Sequence, residues 1–172
     1  MKRTGVIHLG VTLFLSSCIG AGTHGSIHCY EYPVTKYELQ DAVEKVIKES
    51  TNILRDTTRN YMVDVTDGKS DTIYSNYYND GKSYLTINIE QEKGYNNYIF
   101  RYSGDSAYWA SSETSGIFIA YAFDENHRGG SEGNGGITWY KPFLKQKLVT
   151  VFKRELIEKL NVELGVEPVE TD

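Results

Sequence analysis

Residues 84–102 read YLTINIEQEKGYNNYIFRY, and this stretch decides the fold. Apolar or aromatic side chains alternate with polar ones in two runs that flank a Glu-Lys-Gly connection. Alternation with a period of two predicts β-strands that each bury one face. The same alternation recurs at 61–65 and 117–121, and a further short strand is expected at 137–140.

Two repeated turn signals separate the predicted strands. Asp67-Gly68 and Asp80-Gly81 lie 13 residues apart, each between β-rich runs. Asp-Gly is a strong hairpin signal, because glycine adopts positive φ at little cost. The strands are therefore expected to follow one another as an antiparallel meander of four or five.

A helix is predicted before these strands. Thr35 and Glu38 have the spacing of a capping box, in which each side chain bonds to the backbone N–H of the other residue. Leu39, Val43 and Ile47 follow at helical spacing, which indicates a surface helix with one buried stripe.

A second helix is predicted after the strands. Pro142 suits a first helical turn, and apolar residues recur at helical spacing from there to about Asn161. Helices at both ends of a meander predict an α+β fold with the N-terminal and C-terminal helices packed on one face of the sheet. Residues 33–172 are expected to form this single domain.

The first eighteen residues have the order of a secretory signal peptide. A basic start at residues 2 and 3 precedes an apolar run over 6–15. This run is too short for a membrane-spanning helix, which needs about 20 residues. Residues 15–18 read LSSC and resemble the lipobox of bacterial lipoproteins. The resemblance implies removal of residues 1–17 and acylation of Cys18, with palmitate among the attached chains. The alternative is an ordinary signal peptide cut near Ala21, which would discard Cys18.

Residues 18–32 are expected to be a lipidated, flexible tether, because they are rich in Gly, Ser, Thr and His and lack any period. Residue 19 is Ile rather than the aspartate that retains enterobacterial lipoproteins in the inner membrane. The resemblance therefore implies an outer membrane lipoprotein that faces the periplasm. With Cys18 acylated, Cys29 has no partner for an internal disulfide. Two histidines and one cysteine in a loose tether do not make a structural zinc site, so no metal and no cofactor is expected.

The charge of the mature chain excludes one class of partner. Without residues 1–17 the chain has 16 basic and 23 acidic side chains, a formal charge of −7. Nucleic-acid binding depends on Lys and Arg that neutralise phosphates, so no nucleic acid is expected. The expected partners are the membrane, through the anchor, and a protein or envelope polymer, bound by a monomeric domain.

Tyrosine is the unusual residue, with 14 in the chain. Tyr74, Tyr78 and Tyr84 share predicted strand faces with Asn and Thr, and Trp109 lies in a connection between strands. Tyr-rich polar faces are typical of binding surfaces, and Tyr is also frequent in ordinary strands. These four aromatic residues are binding candidates.

His127 and Arg128 are further binding candidates, since they lie beside two acidic residues at the edge of a glycine-rich loop. A histidine near an acid can act as a general base, but exposed loop histidines are more often solvated. No nucleophile and base can be paired from the sequence, so no residue is assigned a catalytic role.

Two hypotheses of function follow. The first is a lipid-anchored cell-envelope binding or interaction module without catalysis, of which an immunity-type lipoprotein is a narrower version. The second is a periplasmic enzyme that acts on an envelope polymer through the loop around His127. In a meander, the connections at 104–115 and 124–136 lie at opposite ends of the sheet and form separate sites.

Overall fold

The computed structural model describes the backbone of residues 27–57, 60–66, 69–75, 80–131 and 142–171, and the side chains of 27–57, 80–131 and 142–171. Helices and an antiparallel sheet are both present, so the predicted α+β class is confirmed. The strands are β1 (His28–Tyr32), β2 (Ile53–Arg55), β3 (Asn60–Thr66), β4 (Lys69–Ser75), β5 (Tyr84–Glu90), β6 (Tyr95–Tyr102), β7 (Ser115–Phe123), β8 (Gly129–Gly130) and β9 (Val169–Thr171). The helices are α1 (Lys36–Glu49), α2 (Ser106–Trp109), α3 (Pro142–Phe152) and α4 (Glu158–Leu164), and a π-helical turn (Lys153–Ile157) joins α3 to α4.

The main sheet is larger than the expected meander of four or five strands. Its order is β2-β5-β6-β7-β1-β9, and β8 pairs with the end of β7. The part from β5 to β7 is the predicted meander, with every pair antiparallel. Beyond β7 the sheet continues with β1 and β9, while β3 and β4 form a separate two-stranded sheet. The expected strand at 137–140 lies outside the described residues.

The first strand falls within the segment expected to be a tether. Residues 28–32 form β1, which pairs with β7 on one side and β9 on the other. Tyr30 and Tyr32 are fully buried in the core. The tether prediction is therefore wrong for 28–32, because the alternation of His-Cys-Tyr-Glu-Tyr was obscured by the Gly- and Ser-rich residues that precede it.

Both predicted helices pack against the same face of the sheet. The capping box of α1 is present, since Glu38 N donates to Thr35 Oγ1 over 3.3 Å and Thr35 N donates to Glu38 Oε2 over 2.9 Å. The core between helices and sheet includes these fully buried residues: Tyr30, Leu39, Val43, Ile87, Tyr98, Phe100, Ile119, Phe152 and Leu160. Helices and strands therefore share one continuous core.

The chain after α4 returns to the sheet. Gly165, at φ +69°, ends the helix, and β9 then pairs with β1. Glu170 of β9 is 2.7 Å from Lys153 Nζ and 3.2 Å from His28 Nε2. The hydrogen bond from Lys153 holds the pKa of Glu170 below its usual range. The last strand is thus fixed by backbone pairing and by an ion pair.

The predicted turns have different roles. Thr66 pairs with Lys69, so the first Asp-Gly signal separates the two strands of a hairpin, although residues 67 and 68 lie outside the described part. The second forms a turn that leads into β5. Because β5 pairs with β2 and β6, this second signal does not make a hairpin with β4.

The sheet face turned away from the helices has a smaller buried cluster of Cys29, Tyr84, Phe118 and Ala120. Cys29 is disulfide-bonded, so the expectation that it has no partner is wrong. The chain has two cysteines, and Cys18 lies outside the described residues.

Candidate functional site

A cavity of about 370 Å³ opens where β5 begins and β6 ends. We call it the Trp109 pocket. Its lining combines two aromatic side chains with hydroxyl, carboxylate and guanidinium groups. The lining residues are Asp80, Ser83, Tyr84, Arg101, Gly104, Asp105, Ser106 and Trp109. The volume lies within the range of ligand pockets, ~300–1,000 Å³.

The turn before β5 forms one wall of the pocket. Asp80 Oδ1 accepts hydrogen bonds from the backbone N–H groups of Lys82, Ser83 and Tyr84 at 2.8, 2.7 and 2.9 Å. Gly81 adopts φ +70°, and its carbonyl accepts a 3.0 Å hydrogen bond from Gln40 of α1. The turn is therefore held by its own aspartate and by the first helix.

The connection from β6 to β7 forms the opposite wall. Asp105 Oδ1 caps α2 by accepting from the N–H groups of Ala107 and Tyr108 at 3.0 and 2.9 Å. Gly104 adopts φ +82°, and an added Cβ would lie 2.3 Å from the Tyr108 ring. Trp109 Nε1 donates to Ser103 O over 2.6 Å. These contacts place the half-buried indole of Trp109 at the pocket wall.

A buried lysine supports the same indole. Lys36 is 3% exposed, and its Nζ lies 4.6 Å from the centroid of Trp109 and 5.0 Å from that of Tyr102. The ammonium also donates to Gln40 Oε1. Burial lowers the pKa of Lys36, against the opposing effect of nearby carboxylates. Within the described part of the chain, this cation rests on aromatic rings rather than in an ion pair.

Arg101 brings a second cation to the pocket. Its guanidinium carbon lies 4.6 Å from the centroid of Phe118 and 5.4 Å from that of Tyr84. Nη1 also donates to the Tyr84 hydroxyl over 3.2 Å. Tyr84 is 4% exposed, so it is mainly a packed residue that presents an edge to the pocket.

The structure brings together two of the predicted binding residues. Tyr84 and Trp109 line the same pocket, although they come from different predicted features of the sequence. Tyr74 lies in β4, but its side chain is outside the described part of the structure. Two further predicted residues, Tyr78 and Cys18, lie entirely outside it.

His127 and Arg128 lie at the other end of the sheet, in the turn from β7 to β8. Asp124 is 2% exposed, and both of its carboxylate oxygens are engaged. Oδ1 accepts from the N–H groups of Asn126 and Arg128, and Oδ2 accepts from the Arg128 guanidinium at 2.7 and 2.8 Å. Although burial acts to raise the pKa of Asp124, these hydrogen bonds hold it below its usual value. Asp124, one of the two acids beside His127 in the sequence, therefore closes the turn.

A larger cavity, of about 660 Å³, lies near this second turn. We call it the charged cavity. Two of the three cations among its described lining residues have carboxylate partners: Lys147 lies 3.6 Å from Glu125, and Arg154 lies 2.7 Å from Glu155. Charges that neutralise each other offer little to a ligand, so size alone does not make this cavity the better site.

Sequence reasoning missed Lys36 and Arg101. Lys36 is the first residue of a surface helix, where a lysine is normally solvated. Arg101 occupies an outward position between two inward aromatic residues, which could have suggested cation–π contacts. Among the described residues, no group of three or more His, Cys, Asp or Glu is placed to hold a metal.

The same described residues include no helix with the length and hydrophobicity needed to cross a bilayer.

No protein-family model, no curated protein and no solved structure matches this chain.

Proposed function

We propose that the chain is a lipid-anchored binding module of the cell envelope, without catalytic activity, and that the Trp109 pocket is its binding site. The observation that carries this proposal is the meeting of Tyr84, Arg101 and Trp109 at one cavity on a rigid sheet end. Aromatic and arginine side chains at a concave, well-supported site are typical of ligand recognition.

The chemistry of the pocket favours binding over catalysis. The described residues that line it include two serine hydroxyls but no histidine, cysteine or lysine that could activate them. The hydrogen bonds of Asp80 and Asp105 go to backbone N–H groups. These residues can hold a ligand in place, and they do not form a nucleophile with its base.

The alternative, an enzyme that acts on an envelope polymer through His127, gains no support from the turn. A general base is usually oriented by a neighbouring acid. Asp124 is instead committed to Arg128 and two backbone N–H groups. His127 is exposed and adopts φ +58°, a conformation in which it serves as a turn residue.

The proposed anchor would direct the pocket away from the membrane. Strand β1 runs from His28, opposite Ile119, to Tyr32, opposite Ser115. The connection that carries Trp109 directly precedes Ser115, so the pocket lies at the far end of β1 from its start. Nine residues separate Cys18 from His28 and span at most about 30 Å. A chain anchored by a lipid on Cys18 would therefore join the domain at the end of the sheet opposite the pocket. This arrangement suits an outer membrane lipoprotein that faces the periplasm.

Acylation of Cys18 would form a thioether at its sulfur. A lipidated Cys18 therefore could not be the cysteine that forms the disulfide of Cys29.

The anchor is tested by intact mass and by phase partition of the full chain isolated from bacterial envelopes. We expect diacylglyceryl and acyl masses on Cys18 and entry into the detergent phase of Triton X-114. Cys18→Ala should abolish the lipid mass and the partition. A native protein with both cysteines oxidised and no lipid would refute the anchor.

The site is tested by capture from envelope extract with the immobilised chain. Trp109→Ala should lose the captured partner, with loss defined as more than about tenfold, the scale of a hot spot. Tyr95→Ala is the matched control, because Tyr95 is 46% exposed and lies at the opposite end of β6. Equal capture by wild type and by Trp109→Ala, with folding intact, would remove the pocket from the proposal.

A further inference from the structure

In each of the two aspartates of the Trp109 pocket, the described hydrogen bonds engage only one carboxylate oxygen. All three hydrogen bonds of Asp80 end on Oδ1, and both hydrogen bonds of Asp105 also end on Oδ1. In the described part of the structure, Oδ2 of each residue accepts no hydrogen bond. The backbone bonds fix both carboxylates in orientation, so each presents a placed acceptor.

The indole of Trp109, which lines the same pocket as these carboxylates, is fixed before any ligand binds. The indole of Trp109 is tied at Nε1 to Ser103 O, and the Lys36 ammonium lies 4.6 Å from the indole centroid. A ring held by two independent contacts loses little conformational freedom when a ligand stacks on it. The pocket thus combines a rigid flat surface with acceptors at its edge.

We propose that the Trp109 pocket binds a neutral oligosaccharide built of pyranose rings. One sugar ring stacks its C–H face on the Trp109 indole, and its hydroxyls donate to Oδ2 of Asp80 and of Asp105. The hydroxyls of Ser83 and Ser106, which both donate and accept, complete the hydrogen bonding. This assignment rests on the proposed function and names the ligand class of the same site.

The lining disfavours the other common ligands. Its described residues contribute no aliphatic side chain, so among them an acyl chain or an aliphatic peptide anchor would find no apolar contact beyond the rings. A phosphorylated ligand would meet two carboxylates as well as Arg101. A polyhydroxylated, uncharged ring satisfies both kinds of group without leaving a buried charge unpaired.

The test titrates the folded chain with the N-acetylglucosamine trimer, cellotriose and maltotriose. Binding is followed by the indole N–H resonance of Trp109 and by calorimetry. At least one of the three sugars should shift that resonance in a saturable way. Asp80→Asn and Asp105→Asn should each weaken binding by about tenfold, because the amide keeps the Oδ1 acceptor but places a donor at Oδ2. Glu92→Gln, in the turn between β5 and β6, is the control and should bind as wild type.

Each outcome decides between the two proposals. Binding that is weakened about tenfold in each asparagine variant, with unchanged thermal unfolding, supports the oligosaccharide. Failure of all three sugars overturns it. If the sugars fail while Trp109→Ala still loses the envelope partner, the pocket is a binding site for a protein and the proposed function survives. If the sugars fail and capture is also unchanged, both proposals are wrong.

Discussion

Asp80 and Asp124 organise turns at opposite ends of the same sheet, and they use their carboxylates differently. In Asp80, one carboxylate oxygen accepts hydrogen bonds from three backbone N–H groups. In Asp124, both carboxylate oxygens accept hydrogen bonds, and Oδ2 accepts two from the Arg128 guanidinium, at 2.7 and 2.8 Å. The first turn keeps a directed acceptor at a cavity, whereas the second is closed on itself. A charged residue near a cavity is therefore a candidate for binding only if its hydrogen-bonding capacity is not already used within the fold.

The cations at the two ends show the same contrast. Arg128 is 63% exposed and pairs with a buried carboxylate. Lys36 is 3% exposed, and its ammonium lies over aromatic rings. An ion pair of the first kind stabilises a turn, while a buried ammonium costs desolvation that its rings, Gln40 and nearby carboxylates offset only in part. Such a cost at the pocket wall is typical of a site that is built for function.

The largest expected effect distinguishes the two aspartates. Asp124→Asn should lower the free energy of unfolding by about 2 kcal/mol, because the buried bonds to the Arg128 guanidinium lose their charge. Asp80→Asn should change it by less than about 0.5 kcal/mol, because the amide oxygen still accepts the backbone bonds. Urea unfolding of both variants measures the difference, and equal losses would contradict the contrast between the turns.

The pH dependence of the Asp124 variant sharpens this test. The folded pKa of Asp124 is lowered, so its stabilising contribution is present above the ordinary pKa and is lost as pH falls through the folded value. The gap between wild type and Asp124→Asn should therefore shrink as the pH is lowered below about 4. A gap that is constant down to pH 2 would mean that the carboxylate is not the stabilising group.

The meander and both helices could be predicted because their patterns are local. The period of two in 84–102 and the capping box at Thr35 depend only on nearby residues. The short strands β2, β8 and β9 hold two or three residues each, too few for a period to show. Their existence depends on pairing with distant strands, which the sequence does not express.

The site was predictable only in part, for a related reason. Trp109 and Tyr84 stand out as aromatic residues, but their meeting depends on the register in which Tyr84 pairs with Arg101. Lys36 looks like an ordinary helix surface residue, because its burial comes from Tyr102 and Trp109 far along the chain. Residues that act through long-range packing leave no signal in their own sequence neighbourhood.

Replacing Lys36 tests whether the buried ammonium is kept for binding. Methionine has a volume similar to that of lysine but no charge. Lys36→Met should therefore have a free energy of unfolding about 1 kcal/mol higher than that of wild type at pH 7. Because the pKa of Lys36 is lowered in the folded protein, the unfolded chain keeps the proton on this side chain to a higher pH than the folded protein does. The destabilisation of wild type by the buried charge is therefore relieved as the pH rises toward the ordinary pKa of lysine. The advantage of Lys36→Met should shrink as the pH rises toward 10.5, and thermal unfolding of both proteins at each pH measures it.

The same variant should bind less well although it is more stable. Loss of the cation under the indole should broaden the Trp109 N–H resonance and weaken ligand capture, and Lys36→Arg should restore part of both. A Lys36→Met protein that is less stable at every pH and captures normally would make the lysine a purely structural residue.

The smallest expected effect concerns His127 at the closed end of the sheet. Its φ of +58° is a left-handed conformation that costs an L-residue about 1–2 kcal/mol. Glycine avoids this cost, but its greater conformational freedom in the unfolded chain offsets part of the gain in stability. His127→Gly should therefore raise the free energy of unfolding by about 0.5 kcal/mol, and His127→Ala, which keeps the strained φ, should not. Urea midpoints of the two variants provide the measurement, and capture of the envelope partner should be unchanged in both. A hydrolytic activity on envelope polymer that disappears in both variants would instead place the function at this turn and reverse the contrast between the two ends.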